Sequence, residues 1–262
     1  MKSVPKYLQT KAYLYCVMNK LLLKNIKQLL GAYEVAPERL KGAEMKQLPC
    51  IENAWLAVEE GRIADFGEMA DFPGITDWKD LEIVDCSRQI VMPCFADSHT
   101  HIVYAGNREQ EFVDRINGFS YEEIAAKGGG ILNSVAKLRQ CPEEELYEQA
   151  LQRFNEVITL GTGAIEIKSG YGLDLESELK ILRVIRRLRN LNIIPVKATF
   201  LGAHAVPVEF KGNKKGYIRY LIDTLLPAIA EEQLADFIDV FCEANYFDAT
   251  ETLAILEAGK RY

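Results

Sequence analysis

Hydrophobic residues follow two different patterns on either side of about residue 90. Before it they fall in short β-type runs. Residues 20–30, which include Leu21-Leu22-Leu23-Lys24-Asn25-Ile26, read as a first strand. A polar connection follows, through Pro37-Glu38-Arg39-Leu40-Lys41-Gly42 to Leu48-Pro49-Cys50. Residues 54–67 then read as a hairpin: apolar strand, Glu60-Gly61 turn, apolar strand. Residues 81–86 make another short strand. Together these predict a small antiparallel β unit over residues 18–90.

Beyond residue 90 the pattern becomes strand, loop, helix. The run Ile90-Val91-Met92 predicts a buried strand leading into Pro93-Cys94-Phe95-Ala96-Asp97-Ser98-His99-Thr100-His101. Helices are expected over residues 121–126, which stop at Gly128-Gly129-Gly130, and over 131–139. A long amphipathic helix, opened by Pro142, runs to about residue 160. Strand 164–168 ends in Ser169-Gly170-Tyr171-Gly172, and helix 175–190 follows. Strand 194–201 ends in Gly202-Ala203-His204. Helix 214–231 is interrupted by Pro227, strand 237–243 ends at Glu243, and helix 250–260 closes the pattern.

Strands alternating with helices imply a parallel sheet. Each strand runs into polar or glycine residues, which is where (β/α) barrels and doubly wound sheets both carry their sites. About four βα units are present, whereas a closed (β/α)8 barrel takes roughly 250 residues by itself. The expected class is therefore α/β, with residues 91–262 as the first half of a TIM-type (β/α)8 barrel; a different α/β fold is the alternative. No G-x-G-x-x-G follows a strand and no Walker motif occurs. Gly128-Gly129-Gly130 is either a flexible helix stop or a substrate-contacting loop.

Composition narrows the partners. The 262 residues are 48% hydrophobic and carry a net charge of −7, from 31 basic and 38 acidic side chains. That balance points to a soluble cytoplasmic protein with a small-molecule substrate, and away from nucleic acid and anionic membrane. Six scattered cysteines without a C-x-x-C read as reduced thiols, not a disulfide frame or zinc knuckle. No run of ~18 apolar residues marks a transmembrane helix. Residues 1–33 contain six lysines and no acidic residue. Residues 1–17 are expected to be an extension outside the fold, with Met18 as an alternative start.

The chemistry is concentrated in few positions. Only three histidines occur, and two of them, His99 and His101, fall two residues apart at a strand end. That spacing puts both imidazoles on one face, as half of a metal site; a pair of surface or core histidines is the plainer alternative. His204, Lys168 and Glu243 also stand at strand ends. A lone histidine is more often structural, and Glu243 reads as a solvated carboxylate.

Five stretches carry a resemblance to a known family: Asp97-Ser98-His99-Thr100-His101 with Ala105-Gly106-Asn107-Arg108; Gly128-Gly129-Gly130-Ile131; Glu166-Ile167-Lys168-Ser169-Gly170-Tyr171-Gly172-Leu173; Thr199-Phe200-Leu201-Gly202-Ala203-His204-Ala205-Val206-Pro207; and Asp239-Val240-Phe241-Cys242-Glu243. From about residue 20 onward the sequence resembles the imidazolonepropionases, amidohydrolase-superfamily enzymes of histidine degradation. The resemblance implies hydrolysis of the cyclic amide of 4-imidazolone-5-propanoate to N-formimidoyl-L-glutamate. It also implies a metal-dependent (β/α)8 barrel with a β-sandwich, of which residues 18–90 would be the N-terminal share. His99 and His101 match the first two ligands of a zinc (Zn2+) or iron (Fe3+) ion. Arg108 matches the residue that holds the substrate propionate, where a guanidinium suits a carboxylate; otherwise it reads as a surface arginine. Tyr171 and His204 match substrate-binding positions, with His204 the catalytic candidate, polarising the ring carbonyl or steadying the oxyanion. Family members commonly pair as homodimers.

The family pattern continues with a further metal-binding histidine, a glutamate and a metal-binding aspartate, for which this sequence has no counterpart after His204. The chain is therefore expected to be a C-terminally truncated form with impaired activity. Another ring-amide hydrolase or aminohydrolase of the superfamily, or a non-catalytic ligand-binding remnant, are the alternatives.

Overall fold

The computed structural model describes residues 20–107, 109–120, 123 and 130–262. The expected extension 1–17, Arg108 and most of the predicted helix 121–126 lie outside them. The chain divides into two compact units, Met1–Cys94 and Phe95–Tyr262.

The first unit is a five-stranded mixed sheet organised on β1 (Lys20–Leu30). β2 (Cys50–Glu59) runs antiparallel to it, from Lys20 opposite Glu59 to Leu30 opposite Cys50. β2 turns back into β3 (Arg62–Glu68) through Glu60 and Gly61, whose φ angles of 50° and 73° give the twist that a two-residue hairpin needs. β4 (Leu81–Asp85) and β5 (Ile90–Val91) lie parallel to β1. This corrects the purely antiparallel expectation: alternation marks a strand and its faces but carries no strand direction. Leu22, Ile26, Leu29, Ala54, Trp55 and Cys86 form its buried side chains.

The run Ile90-Val91-Met92 also departs from expectation. It is not a buried lead-in to the histidines but the two-residue edge strand β5, with Ile90 52% and Met92 47% exposed. Pro93, which lacks a backbone N–H, separates it from the next strand.

The second unit is a four-stranded parallel sheet: β6 (Phe95–Thr100), β7 (Thr162–Lys168), β8 (Val196–Ala203) and β9 (Phe237–Val240), paired in that order. The order shows no reversal, unlike a doubly wound sheet. Helices α1 (Glu109–Ile116), α2 (Ile131–Gln140) and α3 (Glu143–Thr159) lie between β6 and β7. α4 (Leu175–Arg189) joins β7 to β8, and α7 (Ala249–Gly259) follows β9. α1 has no counterpart among the elements read from the sequence.

α3 buries Leu146, Ala150 and Phe154 at the helical spacing expected of one inward face, and α4 buries Ile181, Leu182, Ile185 and Leu188. Asp174 caps α4 by accepting from the Ser177 N–H (2.8 Å), and Asp248 and Glu251 form a capping box on α7. The predicted break at Pro227 takes a specific form. α5 (Lys214–Tyr220) and α6 (Leu226–Glu231) are joined by a π-helical turn, Leu221–Leu225. The proline ring cannot sit against the carbonyl four residues back, and the wider turn relieves that clash.

Candidate active site

Because β6 to β9 are parallel, their C-terminal ends fall on one edge of the sheet, and the ring-bearing residues singled out from sequence converge there. His99 and His101, around the end of β6, have ring centroids 5.6 Å apart. His101 lies 5.2 Å from Tyr171, in the turn after β7, and 5.2 Å from His204, just past β8. Tyr171 and His204 are 5.5 Å apart, and Phe241 meets His204 edge-on at 5.8 Å. His101 and His204 are far apart in sequence, and the strand order brings them together.

Specific contacts hold this edge. The Thr100 hydroxyl donates to the Glu166 carbonyl (2.7 Å), tying the end of β6 to β7. Arg153, from α3, donates to the carbonyls of Ile102 (3.0 Å) and Tyr104 (2.9 Å) and lies 3.5 Å over the Tyr104 ring. It thereby fixes the segment that leaves His101.

The two strand-end imidazoles differ. His99 is exposed, whereas His101 is half-buried. Burial first, and then the neighbouring His204, His99 and Lys168 charges, push His101 down to about 4. Its ring is neutral at pH 7, and its buried Nδ1 has no hydrogen-bond partner among the described residues. His204 is also lowered by burial, against the pull of the Gly170 carbonyl, which its Nδ1 approaches at 3.1 Å. A carbonyl can only accept, so the neutral ring carries its proton on Nδ1 and leaves Nε2 as an acceptor.

Lys168 is placed differently from a pocket-lining residue. Its buried ammonium bonds Glu166 (2.5 Å) on the same strand and Asp239 (3.1 Å) on β9, and the Thr199 hydroxyl donates to Glu166 (2.7 Å). Burial pulls the Lys168 pKa down, but these bonds outweigh it and leave it raised. Glu243 is exposed and accepts from the Ala244 N–H (2.8 Å), as a solvated strand-end carboxylate does.

Sequence reading missed Glu178, which is fully buried on α4. Its carboxylate accepts from the N–H groups of Gly170 (3.2 Å), Gly172 (2.8 Å) and Leu173 (2.9 Å). Burial pushes this carboxyl up, and the Ser169 hydroxyl and the three N–H groups pull it back. The available signal was an acid at an inward helical position, between Ser177 and Leu179 and one turn past the Asp174 cap. From the other side Arg139 donates to the Gly172 carbonyl (3.0 Å) and pairs with Asp174 (2.7 Å).

A neutral imidazole with a free buried nitrogen is the form a metal ligand needs. His101 meets that requirement, and the His99 ring stands beside it. They do not complete a metal site: among the described residues no group of three or more His, Cys, Asp or Glu side chains could hold a metal ion.

Solved structures similar to this chain share the α/β fold with its parallel sheet. They include Escherichia coli guanine deaminase (TM-score 0.57, 12% identity, 92% of this chain and 50% of that one). Another is 5-methylcytosine deaminase from Klebsiella pneumoniae liganded with phosphonocytosine (TM-score 0.57, 13% identity, 92% and 49%). That likeness defines the fold class as α/β. No family model matches the chain. Sequence relatives are much closer. The imidazolonepropionase of Flavobacterium johnsoniae is 56% identical over 238 residues, 91% of this chain and 57% of the relative. That of Christiangramia forsetii is 55% identical over 242 residues (92% and 58%), and that of Clostridium tetani 45% over 239 (91% and 57%). The chain belongs to the imidazolonepropionase family. It spans somewhat over half the length of these relatives.

Proposed function

We propose that this chain supplies the first part of an imidazolonepropionase site, for hydrolysis of 4-imidazolone-5-propanoate to N-formimidoyl-L-glutamate in the cytoplasm. The supporting observation is the convergence of His99, His101, Tyr171 and His204, with neighbouring rings 5.2–5.6 Å apart, at the ends of three consecutive parallel strands. In this reading the second unit is the first half of a (β/α)8 barrel, and the first unit contributes to a β-sandwich. The exposed Phe237 on β9, next to a groove of about 580 Å³ lined by Phe200, Leu226, Ile229 and Leu256, suits a sheet that continues past β9. The holoenzyme would be a homodimer, as is common in the family.

His99 and His101 would hold zinc or iron, with the remaining ligands in the part of the relatives that this chain does not match. When bound, the ion supplies Lewis acidity and a water of lowered pKa. Arg108 takes the substrate propionate as a bidentate guanidinium. Tyr171 stacks against the imidazolone ring. Neutral His204 accepts at Nε2 from a ring N–H; only as the imidazolium does it donate to a developing oxyanion. The incomplete ligand set also favours a second reading, a ligand-binding chain without turnover.

The test joins this chain to the portion of the Flavobacterium johnsoniae relative that follows its matched residues, and follows product by mass spectrometry. Turnover that is lost with His101→Ala and with Arg108→Ala supports the proposal. A folded, metal-loaded fusion that leaves imidazolonepropionate intact overturns it. The 262-residue chain alone is expected to hold metal weakly and to turn over little or nothing.

A further inference from the structure

Tyr171 and His204 sit on different strand ends, yet both depend on the conformation of one short turn, residues 169–173. That turn is unusual in its backbone. Gly170 has φ +107°, and a Cβ there would lie 2.7 Å from the Leu201 carbonyl and 2.9 Å from His204 Nδ1. Leu173, buried at 1% exposure, has φ 58°, a left-handed conformation that strains a branched side chain. Such a backbone persists only where its surroundings impose it. The N–H groups of Gly170, Gly172 and Leu173 all point inward to the Glu178 carboxylate. The Ser169 hydroxyl, which also bonds Glu178, accepts from the Leu201 N–H at 3.0 Å and so carries the same arrangement across to β8.

We propose that Glu178 is a positioning residue, whose carboxylate gathers the backbone of residues 169–173 and thereby sets the Tyr171 ring and, through the Gly170 carbonyl, the orientation of His204 against His101. Glu178 acts on the rings through the backbone of this turn. It acts as a preformed acceptor around which the turn is wrapped, and the strain at Leu173 is held by the three N–H bonds. That these rings meet substrate rests on the function proposed above; that Glu178 sets their geometry does not.

The experiment compares the full chain with Glu178→Gln, which is nearly isosteric. The new amide group must face either the Gly170 N–H or the pair from Gly172 and Leu173, so at least one donor loses its acceptor. Three histidines in the chain make the ring Cε1–H resonances easy to follow by NMR, at pH 8. The expected result in a folded variant is a shifted His204 signal with an unshifted His99 signal. Hydrogen exchange of the Gly170, Gly172 and Leu173 amides should quicken on the order of 100-fold. Calorimetry with N-formimidoyl-L-glutamate should show binding weakened about tenfold. Unchanged His204 and amide signals in folded Glu178→Gln overturn the proposal. If that variant does not fold, Ser169→Ala decides: a smaller displacement of the same His204 signal supports the proposal, and none overturns it. Absence of ligand binding by the unmodified chain counts against the substrate reading alone, because the ring and amide signals still report on Glu178.

Discussion

His204 lies stacked on His101, with ring centroids 5.2 Å apart and planes within 16° of parallel. One ring comes from the end of β8 and the other from the end of β6, two strands apart with β7 between them. The stack is compatible with two neutral imidazoles and not with two imidazolium ions, since burial disfavours both charges and each charge repels the other. On the proposed function, His101 would then serve a metal and His204 a ligand N–H.

Metal binding by the purified chain should therefore depend on the strand-end pair and not on the third histidine. Zinc titrated against a competing chromophoric chelator is expected to bind at least about tenfold more weakly to His99→Ala and to His101→Ala than to the unmodified chain. His204→Ala should leave the zinc affinity within about twofold. Equal losses in all three variants would place the metal elsewhere.

Gly172 is required for space, not for backbone freedom. A Cβ there would stand 2.6 Å from the Glu178 backbone nitrogen and 2.6 Å from the Ser177 carbonyl carbon, atoms that cannot swing aside. Gly172→Ala should cost at least about 1–3 kcal/mol in urea unfolding. Gly212, with open space but φ +78°, should lose only about 1 kcal/mol on the same change.

Phe154 on α3 is fully buried and Phe112 on α1 is 67% exposed. Phe154→Ala should destabilise the second unit by about 3–5 kcal/mol, whereas Phe112→Ala should stay within about 0.5 kcal/mol. Denaturant midpoints with unchanged slopes would report both.

Asp236 accepts from the Ala198 N–H (2.8 Å) and pairs with Arg189 and Lys197. Burial opposes its ionisation, but the backbone bond and the two cations prevail and hold its carboxyl below the usual range. The unfolded chain then takes up a proton at higher pH than the folded one. The stability that Asp236 contributes is present above about pH 4, and it is lost as pH falls through the lower folded value. The difference in unfolding free energy between the unmodified chain and Asp236→Asn should be largest at neutral pH and shrink towards pH 2. A difference that grows on acidification would reverse the assignment.

The strands and most helices were legible because burial on one face writes a period into the sequence. Of the ring cluster, His99, His101 and His204 were legible as strand-end histidines, whereas Tyr171 was singled out by the resemblance alone. What was hidden has physical reasons. β4 and β5 pair in parallel with β1, and side-chain alternation is the same for either direction. Lys168 looked like a strand-end group, but its ammonium is spent on Glu166 and on Asp239, which is 71 residues away. Glu178 was hidden by its type, because an acid on a helix is ordinarily solvated and only the donors of residues 169–173 explain its burial. The run Ile90-Val91-Met92 was misread as buried because a β-branched run cannot tell a buried strand from an exposed edge. The Arg108 assignment falls outside the described residues and rests on the resemblance.

The parallel sheet has one further consequence, for handling the protein. Among the described residues β6 and β9 each pair on one side only, and Phe95 and Phe237 stand on those edges 59% and 51% exposed. Unpaired, apolar edges are templates for adding strands from another molecule. The six residues of β6 and the four of β9 are therefore where association of the isolated chain is expected to start.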